Sequence, residues 1–256
     1  MIAGPCAVED EKTCFEIAEH VSSLCIKLGI EYIFKASFKK ANRTSLFSYT
    51  GIGMDEALDI IKRVGRKCNI ATLTDVHETT DCPIAANYVD WLQIPAFLCR
   101  QTELLIAAGQ TGKGVNIKKG QFLSPEAMQF AVEKVESTGN KKIMLTERGT
   151  TFGYESLVVD FTSIPRMKRF GHKVIVDCTH SVQRPNQGTT TGGDPEMIET
   201  MARAAVAVGA DGLFIEVHPD PARAKSDAAS MLKLDRLEPL LQRVSAIAGR
   251  QKQTKT

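Results

Sequence analysis

The stretch E-Y-I-F-K-A-S-F-K-K-A-N-R-T-S at residues 31–45 changes character halfway along its length. Tyr32, Ile33 and Phe34 make a short β-prone apolar run. Lys35, Ser37, Lys39, Lys40 and Arg43 then crowd a polar segment that meets no acidic residue before Asp55. Side chains alternate along a strand, so Lys35 and Ser37, two apart where the strand runs out, point to one side. Several cations at a strand end suit a ligand with several negative charges, phosphate above all, because charge-assisted bonds to phosphate are strong and directional. A solvated basic loop is the plainer reading of that composition. The two are separated by whether the pattern recurs.

It does recur. Eight β-type runs, at residues 2–6, 32–35, 70–74, 91–94, 115–118, 142–146, 173–177 and 212–217, are each followed by a helix-type segment. Ile17, Val21, Leu24, Cys25 and Leu28 repeat at helical spacing before Gly29, a C-terminal stop. Further helices are expected to start near Met54, Gln101, Ser124, Asp194 and Leu234, with Ser124-Pro125 reading as a cap and a first helical residue. The units after the third and sixth strands are weaker, and Pro165 shortens or interrupts the sixth helix. Eight βα units in 256 residues match the size and count of a (β/α)₈ barrel: one α/β domain over residues 1–256, with a polar tail from about residue 249. Alternation alone leaves a doubly wound open sheet as the rival.

Composition narrows the partners. With 43 % hydrophobic and 24 % charged residues the chain is an ordinary globule, and a net charge of +2 argues against a nucleic-acid surface. No apolar run nears the ~20 residues of a membrane span, and the start M-I-A-G-P-C has no secretory pattern. Seven scattered cysteines without a C-x-x-C pair suggest reduced thiols and a cytoplasmic setting.

In a barrel, function sits at the C-terminal strand ends. Those ends read Cys6; Lys35 and Ser37; Asp75 and His77; Gln93; Asn116 and Lys118; Arg148; Asp177 and His180; Glu216 and His218. One set, Cys6, His180, Glu216 and Asp227, has the thiol, imidazole and carboxylates of a divalent transition-metal site, with His218 a competing ligand on the parity of Glu216. Singly, Cys6 also reads as a small core residue and His180 as a hydrogen-bonded loop residue. A second set, Lys35, Lys40, Lys118, Arg148 and Arg43 with Gln93 and Ser37, is expected to exceed the acids around it and to bind two phosphates or a phosphate and a carboxylate. Ion pairs with Asp75 or Glu147 are the plain alternative, and a Schiff-base role for Lys35 or Lys118 the chemical one. Loops 181–194 and 218–232 are long enough to cover the mouth.

The motifs G-P-C (4–6), F-K-A-S-F-x-K-A-N-R-T-S (34–45), T-D-V-H-E (74–78), Q-I-P-A-F-L-C-R-Q-T (93–102), N-I-K-K-x-Q-F (116–122), E-R-G-T-T-F-G-Y (147–154), D-x-T-H-S-V-Q (177–183) and F-I-E-V-H-P-D-P (214–221) stand in order along nearly the whole chain. Together they resemble the 3-deoxy-D-manno-octulosonate-8-phosphate synthases. The resemblance implies a homotetrameric (β/α)₈ barrel that condenses phosphoenolpyruvate with arabinose 5-phosphate for lipopolysaccharide synthesis, without nucleic-acid or membrane partners. Related synthases that use erythrose 4-phosphate usually carry K-P-R-T-S, and Asn42 within Lys40-Ala41-Asn42-Arg43-Thr44-Ser45 favours the five-carbon sugar. Cysteine at the first strand end implies the metal-dependent branch, with Zn, Fe, Mn, Co or Cd all suitable.

By the same resemblance Cys6, His180, Glu216 and Asp227 bind the metal, and Lys35, Ser37, Lys40, Gln93, Lys118 and Arg148 hold phosphoenolpyruvate. Asn42, Arg43, Thr44 and Ser45 take the sugar phosphate, Arg100 reaches in from a neighbouring subunit, and Asp75 lies near the sugar hydroxyls. His180, Cys6, Lys118 and Asp75 are the implied catalytic groups. Two departures stand out. Ala228 follows Asp227 where the family usually has glycine, which leaves the placement of that loop open. The chain also starts at its first strand, which predicts a less covered barrel bottom.

Overall fold

The computed structural model describes residues 1–42, 48–154, 156–184 and 192–253, with side chains as far as residue 249. Eight parallel strands follow one another around a closed sheet: β1 (Ile2–Gly4), β2 (Ile33–Lys35), β3 (Ala71–Asp75), β4 (Trp91–Ile94), β5 (Gly114–Lys118), β6 (Ile143–Glu147), β7 (Lys173–Asp177) and β8 (Gly212–His218). Closure is made by β8 pairing with β1, Ile2 opposite Phe214 and Gly4 opposite Glu216, which excludes the open sheet.

The outer ring is α1 (Glu11–Leu28), α2 (Met54–Cys68), α3 (Asp81–Ala85), α4 (Thr102–Gln110), α5 (Met128–Glu136), α6 (Ser163–Lys168), α7 (Ile198–Ala207) and α8 (Leu237–Gln253). Local chemistry sets their ends. The Asp10 carboxylate accepts the Thr13 N–H at 2.7 Å at the start of α1, and Gly29 closes it in the left-handed region at φ 64°. α3 and α6 are the short helices, and each carries a proline, Pro83 or Pro165, at its third position, where a missing N–H breaks no helical bond but the turn before is fixed. Ser124 Oγ accepts the Ala127 N–H at 3.3 Å as expected, although regular α-helix starts only at Met128. β1 stops two residues short of the expected Cys6: Pro5 offers no N–H, and pairing resumes as a single bridge from Ala7 to Ser37.

Strand parity divides the molecule into two cores. Outward residues such as Phe34, Leu92, Ile94, Val115, Ile117, Leu145, Val174, Val176, Ile215 and Val217 pack under the helices. Inward residues form a separate apolar floor of Ile2, Met144, Ile175 and Phe214, flanked by Ile33 and Trp91. Above that floor, one pleat further along, the strands turn polar, except β1, which has Gly4 there. At the bottom Trp91 stays half-buried, its ring lying where Gly114 offers no side chain. No described helix is long and apolar enough to cross a membrane.

A Cβ on Gly114 would stand 2.2 Å from the Trp91 ring. Gly114→Ala is therefore expected to cost about 1–3 kcal/mol by overpacking, read by urea unfolding through the fluorescence of the chain's single tryptophan. Gly249→Ala, which meets nothing within 4 Å on α8, should be neutral or slightly stabilising. Equal stability of Gly114→Ala and the parent would refute this account of the barrel floor.

Candidate active site

The polar layer is built from residues sharing inward parity. Lys35 of β2 is 1 % exposed, and its Nζ donates to Ser37 Oγ (3.0 Å), Glu216 Oε1 (3.1 Å) and the Cys6 carbonyl (3.2 Å). Asp75 Oδ2 is 3.5 Å from the same ammonium. From Asp75 a belt of hydrogen bonds runs around the wall. Ser37 Oγ and Gln93 Nε2 donate to the Asp75 carboxylate. Asn116 Nδ2 donates to Gln93 Oε1 (2.8 Å), and Thr146 Oγ1 to Asn116 Oδ1 (2.7 Å). Across the mouth, Lys118 Nζ donates to Asp177 Oδ2 at 2.7 Å and lies 4.1 Å from the centre of the Phe214 ring.

Beside Lys35 lies a second group. Cys6 Sγ is 3.2 Å from both Ser226 Oγ and Asp227 Oδ2. Single ligand atoms of Cys6, Glu216 and Asp227 all fall within 4.8 Å of one another, a grouping that could hold a metal ion. Ala228 does not keep Asp227 away; Asp227 enters the group from a left-handed backbone at φ 50°. His180, on the turn directly after β7, has Nε2 3.6 Å from Glu216 Oε2 and 3.9 Å from Asp227 Oδ2. Its ring is fixed from behind: Asp177 Oδ2 takes Nδ1 at 2.8 Å, while Oδ1 accepts the His180 N–H at 2.8 Å. Glu216 Oε2 is buried and has no hydrogen-bond partner among the described residues. A desolvated carboxylate oxygen left open next to a thiol fits a cation as its missing partner.

Electrostatics keep the layer charged. Burial would raise the Asp75 pKa, but Lys35, Lys40, His77 and Lys118 hold it well below the usual carboxylate range. Asp177 is likewise depressed, burial being outweighed by His180 and Lys118. Burial opposes a charge on Lys40, yet Cys6, Glu216, Asp75 and Asp227 raise it above an ordinary lysine. Burial and then Asp227 and Glu216 push the Cys6 thiol far up, a bias that a nearby divalent cation reverses. Burial lowers Arg148, whose Nη2 donates to Gln183 Oε1 at 3.0 Å. Its Nη1 is buried with no partner among the described residues.

The expected surplus of cations included Arg43, which lies outside the described residues. Among the described residues Lys35, Lys40, Lys118 and Arg148 are matched in number by Asp75, Asp177, Glu216 and Asp227. Glu147 pairs with Lys119 behind the wall at 3.4 Å instead. Asn42 is exposed on the loop after β2, and Arg43, Thr44 and Ser45 lie outside the described residues. Arg100 is exposed; its carbonyl accepts Lys134 Nζ at 3.1 Å, and no bond ties its side chain to the cluster among the described residues. His218 Nδ1 accepts the Asp220 N–H at 3.0 Å and is absent from the thiol–carboxylate group. Asp177, Gln183, Ser226 and Phe214 are the working neighbours that motif spacing leaves without a role. Parity marks Asp177 and Phe214 as inward; Gln183, in a short strand paired with Gly193, and Ser226, on the loop after β8, are placed by the fold alone.

A model of the DAHP synthetase I family matches residues 1–250. The 2-dehydro-3-deoxyphosphooctonate aldolase of Fusobacterium nucleatum subsp. nucleatum is 53 % identical over 242 residues, covering 94 % of this chain and 87 % of that protein. The protein of the same name from Koribacter versatilis is 53 % identical over 94 % of this chain and 88 % of its own length. That from a Cyanothece species is 50 % identical over 96 % and 91 %. By the family model and by identities of this size over nearly its whole length, the chain belongs to the DAHP synthetase I family and, within it, to the 2-dehydro-3-deoxyphosphooctonate aldolases.

Proposed function

We propose that this chain condenses phosphoenolpyruvate with D-arabinose 5-phosphate and water to give 3-deoxy-D-manno-octulosonate 8-phosphate and phosphate, a step in making lipopolysaccharide precursors. The observation that carries this function is one mouth holding two demands that no described residue meets: a buried guanidinium nitrogen on Arg148 and a buried carboxylate oxygen on Glu216. The first suits an anion and the second a cation.

Cys6, His180, Glu216 and Asp227 hold one divalent metal ion, which when bound supplies Lewis-acid polarisation and offsets the carboxylate charge. Lys35, Lys40, Lys118 and Arg148, with Ser37 and Gln93, neutralise the carboxylate and phosphate of phosphoenolpyruvate and hold its C3 against the sugar aldehyde. Asn42, Arg43, Thr44 and Ser45 take the sugar phosphate, and Asp75, kept ionised by its lysines, accepts from sugar hydroxyls. Carbon C3 attacks the aldehyde carbon, water adds at C2, and the hemiketal phosphate so formed loses phosphate by cleavage of its carbon–oxygen bond. Asp177 serves by fixing the ring of His180 and the ammonium of Lys118. The polypeptide acts as one domain, and seven unpaired cysteines favour a reducing, cytoplasmic setting.

A homotetramer completes the site with Arg100 from a neighbouring subunit. What supports this is an exposed aromatic rim on the loops after β4, β5 and β6: Phe97, Phe122, Phe152 and Tyr154. These loops are neighbours, since a Cβ on Gly120 would touch Phe122, Cys99 and Ala96, and the Thr151 N–H donates to the Gln121 carbonyl at 3.1 Å. So much exposed aromatic surface in one place suits a contact between protein surfaces.

Three outcomes are expected. Phosphoenolpyruvate with arabinose 5-phosphate releases phosphate, whereas erythrose 4-phosphate supports at most about 1 % of that rate; release with neither sugar sinks the proposal. Exhaustive chelation abolishes turnover and a divalent metal restores it, while Cys6→Ala loses at least about 100-fold and is not rescued; full activity without metal removes the metal from the scheme. Light scattering coupled to gel filtration finds four copies per particle, and Phe97→Asp combined with Phe122→Asp gives smaller species with weakened turnover. A parent protein that elutes as an active monomer rules out the shared site.

A further inference from the structure

Glu9 takes no part in the condensation as described, yet it is a carboxylate only 8 % exposed. It stands on the segment that leaves Cys6, and that segment is firmly framed. The Val8 N–H donates to the Ser37 carbonyl at 3.0 Å, the Ser37 N–H to the Cys6 carbonyl at 3.3 Å, and Tyr49 Oη to the Val8 carbonyl at 2.6 Å. From this frame Glu9 Oε1 reaches across to accept the backbone N–H of Lys225 at 2.7 Å. Lys225 Nζ in turn lies 5.3 Å from the centre of the Tyr49 ring.

Lys225 precedes Asp227 by two residues, on the long loop after β8. Asp227 occupies the left-handed region at φ 50°, which aspartate adopts more readily than most residues with a Cβ. Ser226 Oγ and Asp227 Oδ2, both 3.2 Å from Cys6 Sγ, come from this same turn. The Glu9–Lys225 bond therefore fastens a loop bearing one metal-site residue to the frame bearing another, through a backbone donor that no change of rotamer can withdraw.

We infer that Glu9 is a positioning residue of the metal site: by holding the Lys225 N–H it sets the approach of Asp227 to Cys6, and with it the affinity for a divalent cation. The inference rests on the metal-dependent function proposed above. It concerns the acceptor oxygen of Glu9 rather than its charge, which makes it separable from a general structural role.

The test uses the full chain, stripped of metal and titrated with Co²⁺, followed by thiolate-to-cobalt charge-transfer absorption and by competition with a chromophoric chelator. A band in the parent protein that is lost in Cys6→Ser establishes the site itself; its absence in the parent defeats the metal-dependent function independently of Glu9. Glu9→Met, which fills the same space without an acceptor, should bind Co²⁺ about 10–100-fold more weakly, the range seen when a group that orients a ligand is removed. Glu9→Gln keeps an acceptor oxygen and Lys225→Ala keeps the N–H, so both should stay within about 3-fold of the parent. Circular dichroism of the metal-free proteins verifies that the fold is retained. Parent-like affinity in Glu9→Met, or a Gln variant as weak as the Met variant, overturns the inference.

Discussion

The ammonium of Lys35 is the constraint around which the barrel mouth is arranged. Taking such a charge out of water costs several kcal/mol even after relaxation. The loss is offset because oxygen atoms arrive from the segment after β1, the end of β2, β3 and β8: the Cys6 carbonyl, Ser37, Asp75 and Glu216. These are the strands on either side of the closing β8–β1 seam. Closure of the sheet and assembly of the polar layer are thus one event. Buried ion pairs of this kind are poor stabilisers, since hydrophobic replacements of similar volume often improve stability by about 1–4 kcal/mol. A barrel wanting only stability would have continued its apolar floor upward.

On the proposed function, the matching of cations to acids gives metal and anion a reason to bind together. Lys35 and Lys40 are pushed up, and Asp75, Asp177 and Glu216 down, against burial that opposes each of those charges. The charged states are locked by one another. An anionic ligand entering a neutralised layer meets carboxylates as well as lysines. On the function proposed above, a divalent cation among Cys6, His180, Glu216 and Asp227 would occupy Glu216 and Asp227 and leave the lysines and Arg148 to the anion. The raised thiol of Cys6 and the open Glu216 oxygen describe the same need from the protein side.

Asp177 shows how one residue serves both halves. Its two oxygens orient His180, cap the turn that carries it, and pair with Lys118, so the imidazole and the lysine cannot shift independently. Phe214 extends the link from beneath, its ring lying under Lys118 and within 5.6 Å of Lys35. The floor is not merely filler but a surface of negative quadrupole on which two ammonium groups rest.

Much of this was legible in the residues themselves. Short β-type runs and the βα count specified every strand end to within two residues, because parallel strands buried on both faces admit few other side chains. Pro165 marked the shortened sixth helix, and polar residues at strand ends located the mouth, since in a barrel those ends share one face. Counting charges along the chain does not show which of them pair, however: whether Asp75 and Asp177 neutralise lysines or face elsewhere depends on Lys35 and Lys118, 40 and 59 positions away in sequence. The reach of Asp227 to Cys6 across 221 residues, and the clamp of Glu9 on Lys225 across 216, have no local signature at all. Sequence determines which side of a strand a residue occupies, because the pleat does so locally. Only closure of the sheet and the path of the loops decide which charges meet, because that is settled by distances between segments that the chain itself keeps far apart.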